Sequence, residues 1–289
     1  MGLKFENMWD YSDPVASENS FYSEIYQQGD NAFTIWELQT QIANALRIQG
    51  KFDESRHILN SIQAGIEFAP DTHEKIIVGT LYNLEMGRLL ADTGKLKAAY
   101  RYFGFALELS VTTNVDALII DASEMLACAG FTDETIDFSL NKIEQLTDST
   151  NSEDKLLMAS YAVIVGLIYS ANSEYQKAIE QFMHARDIFS KCNKAELTRI
   201  VRLKICRAQR LLGQYKIALL ELRTQEQLLK EENRIDGFVF EEIAENLHAL
   251  GYESAQIYFS KAFQNLEITT LLKFREPDRL SRLHSLGVH

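Results

Sequence analysis

The chain has 289 residues, with 29 Lys and Arg against 41 Asp and Glu, a formal net charge of −12, and only 3 Pro and 14 Gly. A negative balance of that size opposes general attraction to nucleic-acid backbones or anionic lipid. No run approaches the ~18 apolar residues that would cross a bilayer, and the opening MGLKFENMWDYSDP lacks a basic segment followed by an apolar one, so the expectation is a cytoplasmic chain with neither nucleic acid nor membrane as partner. Cys128, Cys192 and Cys206 are odd in number, widely spaced and outside any C-x-x-C, as expected of small core residues in a reducing compartment.

In chain order, Asp13-Pro14 opens the first predicted helix, with Phe21, Tyr22 and Ile25 on one face, and Trp9 and Tyr11 are expected to dock back onto it. Six small turns then join pairs of amphipathic helices, at Gly50, Gly94, Gly130, Ser173, Gly213 and Gly251, with spacings of 44, 36, 43, 40 and 38 residues. The first hairpin is carried by Ala43, Leu46, Gly50, Phe52, Ser55 and Leu59. The second is the clearest: Met86, Gly87 and Leu90 share a face, Gly94 turns, and Leu96, Ala99, Phe103 and Ala106 line the return helix. The third is the weakest, with Ser123, Leu126, Gly130 and Thr135. The fourth repeats the arithmetic of the second through Val165, Gly166, Tyr169, Tyr175, Ala178, Phe182 and Ala185; the step from Gly87 to Ala99 is 12 residues, and so is that from Gly166 to Ala178. The fifth carries Ile205, Cys206, Gly213, Tyr215, Ala218 and Leu222, and the sixth Ala244, Leu247, Gly251, Tyr252, Ala255, Phe259 and Ala262. Connections lie around Pro70, at 147–154 and at 230–236; Ser173 with Gln176 reads as a capping box, and Asp71 with Glu74 as the start of a helix. Glu276-Pro277 precedes a last amphipathic piece with Leu280, Leu283 and Leu286. With both ends atypical, the array is expected to be complete.

A small residue in one helix followed by Ala-x-x-x-Phe in the next resembles the tetratricopeptide repeat. The period of about 40 is longer than the usual 34 of that class. WDYSDPVASE, ELQTQIANALRIQGKFDES, DGFVFEEIAENLHALG and EPDRLSRLHSLG further resemble a group of stand-alone bacterial tetratricopeptide-repeat proteins of about this length. The resemblance implies an all-α, right-handed α-solenoid over residues 1–289. An N-terminal cap covers 1–30, about six hairpins 31–267 and a C-terminal cap 268–289. It implies no activity. Members that clamp a terminal carboxylate use Asn and Lys; here Asn44 stands at a matching level, but Thr40 stands in place of the Lys and Glu85 in place of a second Asn.

Chemistry-bearing motifs are missing. GKLKAA at Gly94 lacks the preceding Gly and following Ser or Thr of a phosphate loop, no two of His57, His73, His184, His248, His284 and His289 have zinc-helix spacing, and there is no G-x-S-x-G. The chain therefore reads as a non-enzyme with no cofactor or metal. The concave wall is the better place for a site. The first helix of hairpin five carries Arg199, Arg202, Lys204, Arg207 and Arg210, its four Arg within ~140° of arc, and the first helix of hairpin six carries Glu241, Glu242 and Glu245 beside His248. Two readings stand: the adjacent helices pair their charges, or the stripe recognises a carboxylate of a partner. Trp36, Tyr82, Tyr161 and Phe238 are aromatic groove candidates, with core packing the plainer role. The functional expectation is a scaffold holding a peptide or a partner helix in its groove. The alternatives are a peptide- or small-ligand-responsive regulator and an enzyme with a dispersed site.

Overall fold

The structure, a computed structural model, describes residues 5–28, 31–129, 133–268, 272 and 276–288, the side chains of residues 6 and 133–135 excepted. Among them are one 3-10 turn and fourteen α-helices, with no strand. A first helix, α1 (Pro14–Gln27), precedes the hairpins. These are α2 (Ala32–Ile48) with α3 (Phe52–Phe68), α4 (His73–Asp92) with α5 (Leu96–Ser110), and α6 (Asp116–Ala129) with α7 (Asp133–Leu146). They continue as α8 (Ser152–Ala171) with α9 (Tyr175–Lys191), α10 (Ala195–Leu211) with α11 (Tyr215–Glu231), and α12 (Gly237–Ala249) with α13 (Ala255–Leu266), before α14 (Pro277–Gly287). The chain divides into two compact units, Met1–Val165 and Gly166–His289. In the first, α4 touches α2, α3, α5 and α6; in the second, α12 touches α10, α11 and α13, so within each unit these hairpins pack on their neighbours in chain order.

The repeated spacing has a steric cause. A Cβ built on Gly87 would lie 2.5 Å from the Phe103 ring, and one on Gly166 would lie 2.5 Å from the Phe182 ring, so each ring occupies the space of the missing side chain. Sixteen residues separate the partners in both hairpins. The same step joins Ala43 to Leu59 and Cys206 to Leu222, all four fully buried: where the small residue grows, the large one shrinks. In the first hairpin Ser55 Oγ also donates to the Ala43 carbonyl at 2.8 Å. The third hairpin breaks the rule, because the sixteen-residue step from Ser123 reaches Ser139. Ser139 is fully buried with its hydroxyl toward that of Tyr100, and the Tyr161 hydroxyl reaches no hydrogen-bond partner among the described residues. Phe138 sits between those two rings, with centroids at 5.9 and 6.1 Å.

The turns are built alike. Gly50, Gly94, Gly213 and Gly251 have φ between 76° and 82°, the left-handed region that favours glycine. Each chain reversal closes with an N–H reaching back five residues, as in Lys51 to Leu46 at 2.9 Å and Gln214 to Gln209 at 2.8 Å. Gly130 lies outside the described residues, as does His289, and Thr135 lies in α7 with its side chain undescribed. A second set of left-handed residues, Asn114, Asn193 and Asn233 at φ 54° to 56°, joins one hairpin to the next and was not read from sequence.

Several local expectations change. Ser173 is no N-cap: at φ 63° it takes the place of the turn glycine, and Glu174 is the N-cap of α9, with no side-chain cap bond. Thr72 rather than Asp71 caps α4, its hydroxyl accepting from the Lys75 N–H at 3.3 Å, while Asp71 pairs with Lys75. Leu96 and Tyr22 point outward at 54% and 41% exposure, and Cys128 is exposed, whereas Cys206 is core. By length and composition α8 is apolar enough to cross a bilayer, with mean hydropathy 1.3, against the expectation of no such stretch; 61% of that window is buried inside the protein. At the first end Asp13 caps α1, accepting from the Ala16 N–H at 2.9 Å, and Trp9 docks as expected, edge-on to Phe21 at 5.2 Å with its indole N–H donating to Gln41 at 2.8 Å. In α14, Leu280 and Leu283 are buried in the core of α10 to α13.

The ring-over-glycine packing predicts that Gly87→Ala and Gly166→Ala each lower stability by about 1–3 kcal/mol in urea titrations. Adding Phe182→Leu to Gly166→Ala should recover part of the loss. Gly79→Ala, whose Cβ would meet only Leu109 at 3.5 Å, should instead stabilise by about 0.5–1 kcal/mol. Ser173→Gly should raise the midpoint, because Gly adopts the left-handed conformation without the ~1 kcal/mol penalty of a side chain.

Candidate functional site

Packing one hairpin on the next brings the first helices of successive hairpins side by side, and charges meet there. In the first unit Arg47 pairs with Asp92, its Nη2 donates to Asn44 Oδ1 at 2.7 Å, and its Nε lies 3.9 Å from Glu85. Arg88 bridges Glu85 and Asp121. Burial works against the Arg88 charge, but Asp121 and Glu85 outweigh it and raise its pKa. Asn44 is thus engaged within the protein, and Thr40 is buried with its hydroxyl donating to the Glu37 carbonyl at 2.7 Å.

In the second unit the Arg stripe meets carboxylates along its length. Arg199 pairs with Glu196 and Asp236, and Arg210 grips Glu242 with Nε–Oε2 at 2.7 Å and Nη2–Oε1 at 3.1 Å. Arg207 lies 3.9 Å from the same carboxylate and is 59% exposed, and Arg202 lies 3.6 Å from Glu221. The two remaining glutamates turn the other way. Arg279 of α14 forks onto Glu241 at 2.8 and 2.6 Å, and Arg282 holds Glu245, one contact being 3.1 Å. His248 packs edge-on to Phe259 at 5.8 Å. The sequence reading brought the right helices together but missed Arg279 and Arg282. Their spacings to Glu241 and Glu245, 38 and 37 residues, match one repeat and were the available signal. Of the aromatic candidates Tyr82 and Tyr161 are core, Trp36 lies against Gly65, and Phe238 is 37% exposed with Arg279 over its ring.

Two clefts occupy the same structural position, where one hairpin's second helix ends, the next hairpin's first helix begins, and that hairpin's own second helix ends. In the first unit the cleft is about 820 Å³, with Ile66, Ile76 and Leu109 as apolar walls and Gln63, His73 and Asn83 among its polar groups. Gly79 keeps it open beside Leu109, and Tyr82 donates its hydroxyl hydrogen to Gln63 at 3.0 Å. Burial, with Tyr102, pushes the Tyr82 phenol up. In the second unit the cleft is about 380 Å³ and more highly charged, lined by Lys194, Glu196, Arg199, Arg202, Glu232 and Arg234 among others. The hydrogen bond from Arg199, opposed by burial and helped by Arg234, holds Glu196 below the usual carboxylate range. No group of three or more His, Cys, Asp or Glu that could hold a metal occurs among the described residues.

The hairpins, their small-residue and ring partners and their left-handed turns define a tetratricopeptide-like, all-α repeat architecture. No protein-family model matches the chain, and no curated protein does. Among solved structures it is similar to a tetratricopeptide repeat protein from Parabacteroides merdae, with 14% identity, 99% of this chain and 97% of that one covered, and a TM-score of 0.49. It is also similar to BtubC (BKLC) from P. vanneervenii, with 12% identity, 100% and 94% covered, and a TM-score of 0.45.

Arg210 and Glu242 are both largely buried, so Arg210→Ala should cost about 2–4 kcal/mol, while Arg207→Ala should stay within about 0.5 kcal/mol. Glu196 gains stability from its depressed pKa, present above the unfolded value of about 4.5 and lost as pH falls through the lower folded one. Glu196→Gln should therefore destabilise at neutral pH, and its deficit relative to the parent should shrink below pH ~4.5 in acid titrations of stability.

Proposed function

We propose that this chain is a non-enzymatic binding scaffold that holds a short extended segment of a partner protein, and that the cleft between α3, α4 and the end of α5 is its main seat. The cleft itself carries the reading: about 820 Å³ lies within the size range of built ligand sites and combines apolar walls with amide, imidazole and carboxylate groups that can orient a backbone. Gly79 supports it, since a helix interior keeps glycine at a cost unless the lost side chain leaves useful space. The charged first-helix faces take a smaller share, because Arg199, Arg210, Glu241 and Glu245 already hold partners within the protein. Arg207 is the member of the stripe best placed to meet a partner, with Arg202 next.

Peptides selected on the purified chain from a random displayed library provide the test. They should bind Gly79→Leu and Asn83→Trp about 10-fold or more weaker than the parent, a loss of about 1.4 kcal/mol or more, with thermal midpoints nearly unchanged. Arg207→Glu should shift affinity only for acidic peptides. Selected peptides that bind the cleft-filled variants as tightly as the parent would sink the assignment.

A further inference from the structure

The second cleft carries an observation that the scaffold reading does not use. Three residues beyond the ring position, the second helices of hairpins two, four and six place Ala106, Ala185 and Ala262, all fully buried. At the same register α11 places Gln225, which is 2% exposed and lines the 380 Å³ cleft. Its Nε2 faces only Cys206 Sγ at 4.0 Å, and its Oε1 has no hydrogen-bond partner among the described residues. A buried amide oxygen left without a donor costs stability at a position where alanine serves elsewhere in the same chain.

Arg202 lines the same cleft. Its ion pair to Glu221 runs through Nε at 3.6 Å, beyond hydrogen-bonding reach, and it makes no hydrogen bond among the described residues. The cleft thus combines an acceptor lacking a donor with a guanidinium fork lacking an acceptor. Its charge decides between ligand classes. Lys194, Arg199, Arg202 and Arg234 are balanced by Glu196 and Glu232 in the lining and by Asp236 and Glu221 on Arg199 and Arg202. A neutral site with separated charges favours a neutral, charge-separated ligand over an inorganic anion. Leu228, Leu229 and Ala195 supply an apolar wall.

We infer that the cleft between α9, α10 and α11 binds a small neutral zwitterion of the free α-amino-acid class, with its carboxylate on Arg202, its ammonium on Gln225 Oε1 and the Glu196 and Glu232 side, and its side chain against Leu228 and Leu229. The site is independent of the peptide cleft in the first unit.

The test is titration calorimetry and thermal melting of the full chain with each of the twenty free amino acids. At least one neutral amino acid should bind saturably with Kd below about 1 mM. Arg202→Met should weaken it about 10-fold or more, the usual effect of losing a charge-assisted hydrogen bond, with the melting temperature little changed. Gln225→Ala should weaken binding and raise the melting temperature, opposite signs that a purely structural glutamine would not give. The inference is overturned if no amino acid binds, if binding survives both substitutions, or if the N-acetylated or peptide-terminal form of the ligand binds as tightly as the free one, which would make the cleft a seat for a peptide end.

Discussion

The close approach of two helices, set by a phenyl ring lying against a residue with no side chain, is the constraint on which the rest of this chain depends. Gly87 with Phe103 and Gly166 with Phe182 fix the distance between the helices of their hairpins. That distance determines how each hairpin stacks on the next, since packed interiors adjust poorly to added or missing volume. Ala43 with Leu59 and Cys206 with Leu222 fit the same geometry with different volumes. Such exchange explains how hairpins of unlike sequence share one register.

The charged faces follow from that stacking. Once first helices lie side by side, side chains one repeat apart in sequence become neighbours, and Arg47 with Asp92, Arg88 with Asp121, Arg210 with Glu242 and Arg279 with Glu241 all arise in this way. Removing one partner strands a buried charge, so these pairs penalise misregistered stacking more than they add net stability. A cationic stripe in an acidic chain thereby belongs mainly to the internal order of the array.

Much of this was legible in the sequence because the deciding contacts are local. Gly87, Ala99 and Phe103 lie within one hairpin, and their spacing can be counted. What was hidden depends on long-range or ambiguous chemistry. Ser173 looks the same as a helix-opening serine until its positive φ is seen, and Asn193 and Asn233 carry no glycine to announce a left-handed turn. The choice by Glu241 and Glu245 of the arginines in α14 over the stripe in α10 depends on which neighbour each side chain leans toward. Gln225 occupies a register that reads as core, but its significance needed the burial of its amide and the cleft beside it.

The serine at position 139 bears on how the chain acquires its structure. In an array whose hairpins contact only their neighbours, order spreads from well-formed members to poor ones through their shared interfaces. Hairpin two, with its ring and glycine, can hold itself together early. The pair α6 and α7, with Ser123 and Ser139 at the matching positions, gains most of its order by docking on what is already formed. Its Phe138, itself 40% exposed, covers the rings of Tyr100 and Tyr161, so any opening of α7 would bare them. The point of incomplete packing is thus also where a growing or stressed chain is most exposed to wrong association.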